Sequence, residues 1–147
     1  MQQPIFAPES SWSIPAVFPS FEETETIAVD LETYDPHLMT CGPGWATNRG
    51  HIVGIGIATK DWKGYFPIRH EGGGNLDADI TLRWLRNTLS SSKRKVIFHN
   101  ALYDVGWLRR EGVDVKGQIL DTIIAAPLID ENRYSYSLDN LGSHYCD

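Results

Sequence analysis

Apolar residues along the chain fall into short blocks separated by polar, Gly-rich or Pro-rich breaks, and the period of each block predicts its element. Thr26 to Leu31 (TIAVDL) is short, apolar and β-rich, which predicts a central strand running into an acidic end. A loop rich in Gly and Pro follows. From His51, HIVGIGIAT alternates large apolar residues with Gly, and WKGYFPI follows across a short polar break, the pattern of two antiparallel strands. Together these make a three-strand meander. Past Gly72, Gly73 and Gly74, either Asp77 or Asp79 can cap a helix that carries Leu82, Leu85 and Leu89 on one face. Lys95 to Phe98 (KVIF) reads as a fourth strand, and Ala101 to Arg110 as a helix stopped by Gly112. A fifth strand near Val115 to Leu120 leads into a helix capped by Asp121, and Ser137 to His144 starts another. A meander followed by alternating helices and strands predicts the α/β class, with a mixed sheet (antiparallel, then parallel strands) flanked by helices.

A length of 147 residues suits one domain. Residues 1–24, with four prolines, read as a loosely ordered arm, and 25–147 as the domain. The arm has no basic start followed by an apolar block, so it is not a secretion signal, and no apolar run approaches the length that spans a bilayer. Cys41 and Cys146 are far apart and lack CxxC spacing, which argues against a disulfide scaffold or a zinc site and for a reducing cytoplasm. The net charge of -6 argues against a phosphate-binding protein, unless some of the carboxylates hold divalent cations that supply the positive charge locally. The placement of the acids therefore decides the reading.

In AVDLET, Asp30 and Glu32 alternate with Leu31 on a strand, so both carboxylates leave the same face while Leu31 points into the other. Paired acids at a strand end repel unless protonated or bridged by a cation. Asp-x-Glu alone is common and is usually a solvated strand end. FHNALYDVGWL changes that, because Asn100 and Asp104, four residues apart at a strand-to-helix junction, are expected on one side of the helix. Asp104 can then face the first pair. Such a set can hold two divalent ions, with Asp30 bridging them, and phosphoryl chemistry is its natural use.

Asp30-Leu31-Glu32-Thr33 resembles the first exonuclease motif of the DEDD superfamily, and Asn100-x-x-Tyr103-Asp104 resembles the second. LDTIIAAPLID and SLDNLG resemble the segments that follow in family A DNA polymerases. GPGWAT, YFPIRHEGGGNLD and FHNALYDVGWLRREGV look like polymerases of bacteriophage type. The resemblance covers nearly everything after residue 25. It implies a ribonuclease H-like fold, which the element order also fits, and a proofreading 3′-5′ exonuclease that hydrolyses phosphodiester bonds at the 3′ end of single-stranded DNA. Asp30, Glu32 and Asp104 would hold two Mg2+ or Mn2+ ions, in a monomer working beside a polymerase domain. The family also carries a third motif, Tyr-x-x-x-Asp or His-x-x-x-x-Asp, with a fourth carboxylate and a water-orienting residue. Tyr136 and Asp139 are one residue too close, Tyr145 would need a residue past the end, and His99 has the spacing only to Asp104, which the second motif already uses. The expectation is therefore a domain truncated at its C-terminus, with its third motif downstream.

Other residues have bland readings beside sharp ones. Asp121, a spare ligand in principle, sits where a helix N-cap belongs, and Asp139 reads as a solvated helix residue. Trp45, in the loop beside the first motif, suits either base stacking or packing under the loop. Arg69, with His70 and Arg49, could reach phosphate, while Lys93, Arg94 and Lys95 read as an exposed turn. Thr33, Asn100 and Tyr103 join Trp45 and Arg69 as candidate substrate contacts. Two further functions share these motifs: an inactive nucleic-acid-binding or interaction module with the same fold, and an RNA-trimming exonuclease, which 2′-OH contacts would distinguish.

Overall fold

A computed structural model describes residues 12–146, so the first eleven residues of the expected arm, and Asp147, lie outside the described residues. Five strands form one sheet: β1 (Thr26–Tyr34), β2 (His51–Ala58), β3 (Lys63–Pro67), β4 (Lys95–Phe98) and β5 (Gln118–Asp121). Their order across the sheet is β3-β2-β1-β4-β5, antiparallel from β3 to β1 and parallel from β1 to β5. The α/β mixed sheet expected from the pattern is therefore present. The first strand runs three residues past the expected end, because β2 keeps pairing with it as far as Tyr34 opposite His51, across a register shift after Glu32.

Six helices connect and follow the strands: α1 (Leu38–Cys41), α2 (Gly44–Thr47), α3 (Ala78–Leu89), α4 (Ala101–Arg110), α5 (Thr122–Ile129) and α6 (Leu138–Tyr145). The two short ones lie in what the pattern reads as plain loop. Of the two possible caps for α3, Asp77 is the one used, accepting the Ile80 N–H, and Leu82, Leu85 and Leu89 are buried as the periodicity requires. Helix α4 ends in paired reverse bonds, Val113 N–H to Leu108 O and Gly112 N–H to Arg109 O, with Gly112 at φ 72°. That is the left-handed turn glycine makes without strain.

The core lies on one face of the sheet. Ile27, Val29 and Leu31 of β1 join Ile55, Ile57, Val96 and Phe98, and α3 and α4 close over them with Leu85, Leu89, Trp107 and Leu108. The boundary drawn at residue 24 is not a break in packing. Phe21 is buried, Phe18 stacks on Phe66, and the Pro19 carbonyl accepts the Trp84 indole N–H. Arg94, expected on an exposed turn, is 5% exposed and donates to the carbonyls of Phe21, Thr24 and Thr88, tying this segment to α3. A buried guanidinium persists because its N–H groups are satisfied. Among the described residues no helix is long and apolar enough to cross a membrane.

Candidate active site

The opposite face of the sheet is open. Alternation along β1 sends Ala28, Asp30 and Glu32 to this face. β2 sets small residues beside them, Ala58 opposite Ala28, Gly56 opposite Asp30 and Gly54 opposite Glu32. A cavity of about 970 Å3 opens over this surface, bordered by Asp30, Tyr65, Ile97, His99, Thr122 and Trp12 among others. Its volume falls in the range of ligand-sized clefts.

Asp104 enters from the side. β4 pairs with β1 only from Thr26 to Ala28, so the backbone of β1 beyond Ala28 is free on that edge, and the first turn of α4 packs there. Asp104 is 4% exposed, and the Leu31 backbone N–H donates to its carboxylate. Burial pushes its pKa up to about 7, with the Asp30 charge adding to the rise and the Leu31 bond opposing it. Asp30 is raised in turn by burial, against a lowering by His99. No ion pair among the described residues reaches Asp30, Glu32 or Asp104. Asp30 and Asp104 thus bring negative charge to this side of the cleft with only His99 opposing it at Asp30, a condition that a divalent ion relieves.

The convergence expected of all three acids is incomplete: among the described residues no three His, Cys, Asp or Glu side chains cluster tightly enough to hold an ion. Asp104 senses the Asp30 charge, while Glu32 stands two residues along the strand, about 6.6 Å of rise away.

The expected substrate contacts divide. Asn100 is exposed; it precedes α4 in a left-handed conformation, φ 80°, so the four-residue helical spacing expected between it and Asp104 does not apply. Tyr103 is a strut. Its hydroxyl lies 2.9 Å from Thr33 Oγ1 and donates to Asp35 Oδ2 at 2.9 Å, while Asp35 also accepts the Gly44 N–H. Thr33 and Tyr103 therefore spend their polar groups inside the protein, fixing the loop after β1. Trp45 packs against Gly106 of α4 with its indole nitrogen buried, and it also borders a cavity of about 850 Å3 with Leu102, Val105 and Ile124. Arg69 is held by Glu111 at 2.7 and 3.2 Å and also donates to the Ile52 carbonyl, so it is committed before any phosphate arrives.

Asp121 is a cap, as its position suggested, but of two helices. It accepts Ile123 N–H at the start of α5, and also the backbone N–H groups of Asn100 and Ala101 at the start of α4. Asp139 is exposed on α6. Sequence reasoning missed Tyr65, whose hydroxyl lies at the cleft 2.5 Å from His70 Nε2. The available signal was the pair of glycines on β2, which leave room for a ring.

Three comparisons bear on this arrangement. The family described as 3′-5′ exonuclease matches residues 14–147. A DNA-directed DNA polymerase of Pseudomonas phage M6 is 36% identical over 152 aligned positions, which take in 99% of this chain and 23% of that protein. DNA polymerase I of Borreliella burgdorferi is 30% identical over 86% of this chain and 13% of its own length. The chain thus spans less than a quarter of the polymerases it matches. In fold it is similar to Brucella melitensis NrnC with bound Mg2+, at TM-score 0.60 and 18% identity, covering 87% of this chain and 57% of that one.

Proposed function

The chain belongs to the 3′-5′ exonuclease family of DNA polymerases, and from that premise we propose that it hydrolyses phosphodiester bonds from the 3′ end of single-stranded DNA, as the proofreading part of a polymerase. The observation that carries the reading is the buried Asp104 carboxylate, raised to about 7 by burial and by Asp30 at the end of the central strand. A divalent cation would relieve that arrangement.

In this reading Asp30, Glu32 and Asp104 hold two divalent ions, Mg2+ or Mn2+, as the solved NrnC carries Mg2+. Bound there, the ions supply positive charge to the scissile phosphate and to the attacking and leaving oxygens. Asp30, whose charge reaches Asp104, would help to hold the ions. Glu32 would accept a hydrogen bond from the attacking water and aim it, and Asp104, anchored on the Leu31 N–H, would help to hold a cation. Asn100, exposed ahead of α4, is the residue assigned to contact the strand.

The polymerases this chain matches are several times its length, and the fourth carboxylate is assigned to a segment of that further length. Ala28, Gly56, Ala58 and Ile97 border the cleft on the open face of the sheet. Helix α5, Thr122–Ile129, is apolar all round, yet Ile124, Leu128 and Ile129 are 62%, 85% and 73% exposed. A helix of that kind is one buried by a partner, here that segment or the polymerase domain. Absence of a membrane-spanning helix among the described residues and kinship to a phage polymerase fit work in the host cytoplasm.

The incomplete carboxylate cluster favours one other reading, a nucleic-acid-binding module without activity. Both are tested by incubating the chain, alone and extended past Asp147, with 3′-labelled single-stranded DNA and RNA in Mn2+. Cleavage of DNA from the 3′ end, orders of magnitude faster in the extended chain and absent in Asp30→Asn, is the expected result. No cleavage by the extended chain would leave the binding module, and cleavage of RNA alone would make the substrate RNA.

A further inference from the structure

β3 contributes a residue to the carboxylate cleft that no motif assigns. Tyr65 pairs with Gly56, which pairs with Asp30, and Gly54 in turn pairs with Glu32. The Tyr65 ring leans along the sheet over Gly54, so closely that a Cβ added at 54 would stand 1.7 Å from its hydroxyl oxygen. The hydroxyl therefore occupies the place of a side chain directly opposite Glu32, where facing Cβ atoms lie about 5 Å apart. Glu32 faces it across the two strands.

Its other side is fixed by His70, whose Nε2 lies 2.5 Å from the hydroxyl. His70 is itself clamped, since its backbone N–H donates to Asn75 Oδ1 and its carbonyl accepts from Asn75 Nδ2, both at 2.8 Å. One hydrogen lies between Nε2 and the hydroxyl. When Nε2–H donates, the tyrosine hydrogen is free to turn toward the carboxylates. Burial, then the charges of Glu32 and Asp30, hold the hydroxyl above its ordinary pKa, so it stays a donor.

We propose that Tyr65, oriented by His70, is a positioning residue that donates its hydroxyl hydrogen to Glu32 and fixes that carboxylate for the cation and the attacking water. This rests on the assignment of Glu32 to the hydrolytic site. Outer partners of this kind hold a carboxylate in one orientation, and losing them commonly weakens metal binding about 10- to 100-fold. Gly54 is what admits the ring, so three residues on two strands and a loop form one device.

The test measures Mn2+ binding to this chain by calorimetry. Tyr65→Phe keeps the ring and removes the hydroxyl, and is expected to weaken binding roughly tenfold with an unchanged urea midpoint. His70→Leu should do the same, while His70→Gln, which can still donate, should restore tight binding. Gly54→Ala, which displaces the ring tip, should match Tyr65→Phe. A metal-free arm follows the His70 tautomer by 15N NMR and the Glu32 carboxylate by 13C NMR, where an Nε2–H tautomer and a shift of the Glu32 signal in Tyr65→Phe are expected. Binding by Tyr65→Phe as tight as the parent, or a Glu32 signal that does not move, overturns the proposal. Should Asp30→Asn bind Mn2+ as well as the parent, the cation site itself is wrong, and the metal-free arm alone decides whether Tyr65 holds Glu32.

Discussion

The Asp121 carboxylate at the end of β5 accepts the Ala101 backbone N–H at the start of α4, 2.7 Å away and twenty residues earlier in the chain. With its second oxygen it accepts Asn100 N–H and Ile123 N–H, so one side chain caps two helices. It also fixes the helix that carries Asp104.

Asp121→Ala should therefore cost more than an ordinary cap, about 2 kcal/mol or more in urea unfolding, because orphan donors open at two helix starts. Asp121→Asn should recover part of the loss. A loss within roughly 0.5 kcal/mol would show that the carboxylate is not needed as a cap and return it to the list of spare metal ligands.

Asp104 should make metal-free stability fall as pH rises. Its folded pKa is about 7, above the ordinary carboxylate value, so the native state binds a proton more tightly than the unfolded chain. The protein is then most stable below the unfolded pKa near 4, loses stability as pH climbs toward 7, and is flat above. At about 1.4 kcal/mol per pKa unit the loss is a few kcal/mol. Urea midpoints in EDTA at about pH 5 and about pH 8 should show it, and Asp104→Asn should remove the slope and gain stability at the higher pH. An unchanged slope would mean that another group carries the linkage.

Asp30→Asn should leave folding nearly untouched, or improve it slightly without metal, while abolishing cleavage by the extended chain. The substitution removes a charge that burial already disfavours and that raises Asp104. Marked destabilisation in thermal unfolding would instead identify Asp30 as a structural hydrogen-bonding residue.

Gly106→Ala sets two effects against each other. Alanine in a helix interior gains about 1 kcal/mol over glycine. Here the added methyl would stand 2.4–2.6 Å from three atoms of the Trp45 indole, and overpacking of that kind costs about 1–3 kcal/mol. The clash should win, giving net destabilisation that Trp45→Leu partly reverses in the double mutant. A Gly106→Ala protein more stable than its parent would show that the Trp45 ring is free to move away.

Local chemistry was enough to read much of this molecule. The strand and helix periods placed β1, α3, β4 and α4, and the order of elements specified a mixed sheet, since a meander and short αβ connections leave few topologies. Alternation along β1 separated Asp30 from Leu31 with no structure needed, because the side-chain period of a strand is two. What lay beyond the sequence was everything set by contacts between distant segments. The Asp104 environment depends on β4 leaving β1 after Ala28, and the commitment of Arg69 to Glu111 joins residues forty-two apart. The Asn100 spacing misled because one left-handed residue takes it out of the helix frame, and Arg94 was misjudged because three carbonyls from two segments meet it only in the fold. Hydrophobic periods are local and survive in any context, whereas a charge or a donor takes its role from the partner that tertiary packing brings to it.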